Sequence, residues 1–139
     1  MDTDVIKAKL VSLQRCMQRI RQKTPSSAHQ LAADFDLQDI LILNLQRAVQ
    51  ISTDIATTIL AESSSVPSTM AEAFLLLHRQ GVLSENVAHK LAKSVGLRNI
   101  AVHEYTSLDW NVVYAVAHTH IEDFAEFGRE ISDWVKSRA

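Results

Sequence analysis

Arg98, His103 and Tyr105 fall within the run Arg98-Asn99-Ile100-Ala101-Val102-His103-Glu104-Tyr105. A guanidinium stays charged at any physiological pH and offers a planar fork of donors to a phosphate. An imidazole can take up a proton and give it back, and a phenol can donate a hydrogen bond. These are the tools for cleaving RNA without a metal, because RNA carries its own nucleophile, the 2′-OH beside the scissile phosphate. A catalyst has to remove that proton, protonate the leaving 5′-oxygen and offset the charge that builds up on phosphorus. His103 is read as the proton carrier and Arg98 as the phosphate clamp, which is an electrostatic contribution. Tyr105, whose type titrates near about 10, is a hydrogen-bond donor to the phosphate or to His103 and not a base at neutral pH. Asn99 can orient a neighbour or the RNA backbone, or simply cap the end of a helix. The expected products are a 2′,3′-cyclic phosphate and a 5′-OH.

Such residues need a frame, and the 3.6-residue apolar period supplies helices to hold them. The first is expected from about Asp2 to Lys23, with Val5, Ile6, Leu10, Leu13, Met17 and Ile20 forming one stripe. Lys7, Lys9, Arg15, Arg19, Arg21 and Lys23 make its remainder basic, either a solvated face or a track for an RNA backbone. Thr24-Pro25-Ser26-Ser27 ends it or opens a loop. A second long helix is expected from about Leu37 to Glu62, with Asp36 as its N-cap. It is apolar around so much of its girth that it belongs at the centre of the bundle or against another subunit.

Ser63-Ser64-Ser65-Val66-Pro67-Ser68 reads as a loop, and Thr69-x-x-Glu72 as a capping box opening a third helix to Arg79. Gly81 stands where that helix should stop. Ser84-Glu85 opens a fourth helix, carrying Val87, Leu91 and Val95, with the Arg98–Tyr105 run at its end. A last helix is expected from about Asp109 to Lys136. No run reads as a strand. The fold class is therefore all-α, an up-and-down bundle of about five helices forming a single domain over residues 1–139.

Composition narrows the function classes. Of 139 residues, 47% are hydrophobic, which argues for a packed core and against disorder. The lone cysteine, Cys16, has no internal disulfide partner and reads as a small buried hydrophobe in a reducing cytoplasm. No stretch approaches the roughly 18 apolar residues of a membrane span, and the acidic start Met1-Asp2-Thr3-Asp4 does not resemble a signal peptide. The formal net charge of −2 means that any nucleic-acid contact must come from a local basic patch. His118 and His120 point in different directions on a helix, His78 and His89 sit on separate helices, and no His/Cys/carboxylate set has zinc spacing. No metal and no cofactor is expected.

Arg98, four intervening residues, His103, one residue and Tyr105 match the Arg-x4-His-x-Tyr signature, and in this the chain resembles the HepT-like toxins of the HEPN superfamily. Gly96-Leu97-Arg98-Asn99 ahead of the histidine agrees with that family. So does the second helix, from Leu37-Gln38-Asp39 through Asn44-Leu45-Gln46-Arg47 to Asp54-Ile55-Ala56. The resemblance implies an endoribonuclease toxin whose homodimer joins two copies of the motif in one cleft. It also implies an MntA-type nucleotidyltransferase antitoxin that transfers AMP to the motif tyrosine, here Tyr105. The competing reading is a non-catalytic helical subunit that binds substrate or nucleotide for its transferase partner.

Overall fold

The computed structural model describes residues 3–138, and among them the chain forms helices and no strand. Helix α1 spans Thr3–Lys23, α2 Ala28–Ala32, α3 Phe35–Leu60, α4 Met70–Arg79, α5 Glu85–His103, α6 Trp110–Ala115 and α7 Ile121–Ser137. The expected start of α1 at Asp2 lies outside the described residues. No helix of the described chain is long and apolar enough to cross a membrane.

The longest packing seam joins α1 to α3. Ile6, Leu13 and Ile20 recur every seven residues on α1, and Leu41, Ala48 and Ile55 do the same on α3; all six are buried. A seven-residue apolar repeat keeps one stripe facing its partner along a helix pair, and the small Ala48 leaves room for close approach. Helix α3 also packs against α4 and α5, so it is buried on several sides, as its sequence implied. Phe74 of α4 meets Phe127 of α7 edge to face, with ring centroids 5.8 Å apart.

Two boundaries differ from expectation. Asp34, not Asp36, caps α3: its Oδ1 accepts the Leu37 N–H at 3.1 Å, while Asp36 lies inside the first turn. After Thr24-Pro25-Ser26-Ser27 the chain forms a short helix, α2, that the apolar period does not announce, since five residues are too few to show one. Its last carbonyls, those of Leu31 and Ala32, accept hydrogen bonds from the buried Gln38 amide, which ties the short helix to α3.

The other signals act where the sequence placed them. Thr69 Oγ1 accepts the Glu72 N–H, and Gly81 takes a positive φ of 78° just past α4. Ser84 caps α5, and Glu130 of α7 accepts both its N–H and its hydroxyl, at 2.7 and 2.9 Å. Asp109 caps α6, and the chain stays helical from Trp110 to Ser137 through a π turn at Val116–His120.

Candidate active site

Helix α5 runs through Gly96 and ends at His103, so Arg98, Asn99 and His103 occupy its last two turns. Tyr105 follows in a short 3₁₀ turn, Tyr105–Ser107. The spacing decides which side chains share a face. Asn99 and His103 are four residues apart and lie one above the other on the outer side of α5. Arg98 and His103 are five apart, so they leave the helix about 140° from each other at the ordinary 3.6 residues per turn. Arg98 sits on the bundle side, at the rim of a narrow cleft with Ile42, Gln46, Leu97 and Phe124. Its guanidinium turns back to donate from Nη1 to Asn99 Oδ1 at 3.2 Å. Asn99 thus draws the positive charge towards the face that carries the exposed imidazole.

Tyr105 is held from two sides. Its hydroxyl donates to Asp39 Oδ1 of α3 at 3.2 Å, and its ring meets Trp110 edge to face at 6.1 Å. Desolvation, then the hydrogen bond to Asp39 and the charge of that carboxylate, raise the phenol above its ordinary value. Tyr105 is still 40% exposed, so its oxygen remains within reach of a partner.

That shift gives a direct test. In a Tyr114→Phe background the remaining tyrosine should ionise above the ordinary phenol value of about 10, followed by phenolate absorbance. Asp39→Asn should bring the titration part of the way back and leave the desolvation contribution; an unchanged curve would mean that the carboxylate does not act on the phenol. The sign for stability follows. A folded-state pKa raised above the unfolded one stabilises the fold below about pH 10, and this is lost as pH rises through the folded value.

The family model for ribonuclease HepT-like proteins matches residues 13–131, which takes in α3, α5 and the whole Arg98–Tyr105 run. The chain belongs to the ribonuclease HepT-like family. It is 38% identical to the mRNA nuclease HepT of Shewanella oneidensis over 125 residues, covering 89% of this chain and 93% of that protein. It is 29% identical to the tRNA nuclease HepT of Aphanizomenon flos-aquae over 132 residues, covering 94% and 90% of the two chains. In structure it is similar to a tri-AMPylated Shewanella oneidensis HEPN toxin in complex with MNT antitoxin. The TM-score is 0.87 at 37% identity, with 96% of this chain and 99% of that one covered.

Within this HepT-like fold, Asp39 is the residue of the site that the sequence reading did not single out. It is 66 residues from Tyr105 in the chain, and a carboxylate in the first turns of a helix reads as a favourable match to the helix dipole. Only the packing of α3 beside the turn after α5 brings the two together.

Proposed function

We propose that this chain is the toxin of a toxin–antitoxin pair, a metal-independent endoribonuclease acting in the cytoplasm and neutralised by AMP transfer to Tyr105. The observation that carries the reading is the Arg98–Asn99–His103 arrangement at the end of α5, in a chain of the ribonuclease HepT-like family. His103 removes the 2′-OH proton and protonates the leaving 5′-oxygen. Arg98, steadied by Asn99, binds the non-bridging oxygens as charge grows on them.

The two functional side chains leave α5 about 140° apart, so a cleft that joins a guanidinium to an imidazole is completed by a second copy. A homodimer brings the Arg98 of one copy to the His103 of the other. Its support lies in the apolar side chains inside the motif itself: Ile100 is 38% and Val102 45% exposed. Apolar side chains grouped beside the polar site favour burial against another copy.

The relatives add the partner. One is an mRNA nuclease, one a tRNA nuclease, and a similar toxin is tri-AMPylated in complex with its MNT antitoxin. For this chain the corresponding partner is an MntA-type nucleotidyltransferase. Purified protein mixed with end-labelled RNA and a chelator should yield fragments ending in 2′,3′-cyclic phosphate, with 5′-OH on the downstream piece. Intact RNA across mRNA and tRNA substrates would remove the nuclease reading and leave a binding subunit.

A further inference from the structure

A groove of about 680 Å³ lies between α1 and α3, outside the Arg98–Tyr105 site. Arg15 and Arg19 line it from α1, one turn apart, and Arg47 faces them from α3. Gln18, Gln22 and Asn44 add amides, and none of the lining residues is acidic. The groove's cations differ from two other basic residues of α1. Lys9 is paired with Asp54 at 3.5 Å and Arg21 with Glu122 at 2.7 Å, so their charge is already answered. Arg15, Arg19 and Arg47 have no carboxylate partner among the described residues.

The groove is also well placed. Its α3 wall runs from Ile40 to Ile51, about 16 Å at 1.5 Å per residue. The Ile40 end of that wall is next along α3 to Asp39, the partner of Tyr105, whose side chain leaves the helix about 100° round from Ile40. A chain lying along the groove runs towards the end of α3 that carries the partner of Tyr105.

We propose that this groove binds the sugar-phosphate backbone of the RNA substrate, feeding it to the Arg98–His103 site. The proposal rests on the ribonuclease reading for the identity of the ligand. The lining has guanidinium and amide donors and no aromatic ring, so it holds phosphates without stacking bases. It also answers how a chain of net charge −2 can bind a polyanion: three unpaired cations are concentrated on one face.

The test compares two double variants with equal charge loss on one helix, read by anisotropy of labelled single-stranded RNA in a His103→Ala background. Each phosphate contact contributes about 0.7 to the slope of log affinity against log salt for single strands. Arg15→Gln/Arg19→Gln should lower that slope by about 1.4. Lys9→Gln/Arg21→Gln, which removes paired charges, should change it much less. Arg15→Lys/Arg19→Lys should keep the slope, which separates charge from any effect on folding.

Equal losses in both Gln doubles, or none in either, would overturn the proposal. Unchanged RNA binding with lost affinity for the purified nucleotidyltransferase would also overturn it and make the groove a protein-docking face. Because these are binding measurements, they decide the groove even if the wild-type protein cuts no RNA. In that case only the nuclease reading falls.

Discussion

His103→Ala is expected to lower the rate of RNA cleavage by roughly 10²–10⁴-fold, the range that a positioned acid–base group supplies. The loss should appear in kcat under single-turnover conditions, with RNA affinity largely kept, because the imidazole moves protons and does not carry the binding charge. The fold should survive, since His103 is exposed at the end of α5 and is not one of the buried core residues. Arg98→Ala is expected to cost roughly 10²–10³-fold, as for one lost donor to a developing oxyanion. Arg98→Lys should recover only part of that, because an ammonium has no planar fork and cannot keep the same bond to Asn99.

Mixing the two inactive proteins separates a composite site from two independent ones. If each cleft draws on both copies, a mixed dimer of Arg98→Ala and His103→Ala retains one intact arginine and one intact histidine. It should regain measurable cleavage. If each copy works alone, the mixture stays as inactive as its components. Cleavage by His103→Ala at the wild-type rate would instead show that the imidazole takes no part.

How much of this was legible in the chain depended on the range of the interaction involved. The helix starts at Thr69, Ser84 and Asp109 were readable because a capping hydroxyl or carboxylate and the N–H it accepts lie two or three residues apart. The central position of α3 was readable because a helix apolar on several sides can only be buried on several sides. Asp34 and Asp36 could not be told apart by type, since either carboxylate can cap; Asp34 has the extended backbone that an N-cap needs.

The site divides in the same way. Arg98, His103 and Tyr105 are close in sequence and form a motif, yet their directions depend on where α5 ends. The end of α5 was not marked by Gly96, which sits inside the helix with nothing against it. Asp39 and the groove between α1 and α3 are products of packing. Lys9 and Arg21 look the same as Arg15 and Arg19 in sequence, and only the positions of Asp54 and Glu122 distinguish them.

Tyr105→Phe should abolish AMP transfer while reducing RNA cleavage less than His103→Ala does. Phenylalanine keeps the ring against Trp110 and removes only the oxygen that donates to Asp39. In the proposed transfer, Tyr105 Oη bonds to the α-phosphorus of ATP as the bond to the bridging oxygen breaks and pyrophosphate leaves. The phenol is held above its ordinary pKa, so free phenolate is scarce at neutral pH and the proton needs an acceptor. Asp39 is 3.2 Å away and can take it. Asp39→Asn should therefore slow transfer by roughly 10²-fold, the lower end for a lost general base, with the tyrosine still present. Each AMP also adds bulk and negative charge within the octapeptide that holds Arg98 and His103, which repels an incoming RNA phosphate. With partner and ATP, intact mass spectrometry should show AMP additions on the wild type and none on Tyr105→Phe, and cells expressing both proteins should stop growing when they carry Tyr105→Phe. Full neutralisation of Tyr105→Phe by the partner would mean that inhibition works by covering the site and not by modifying it.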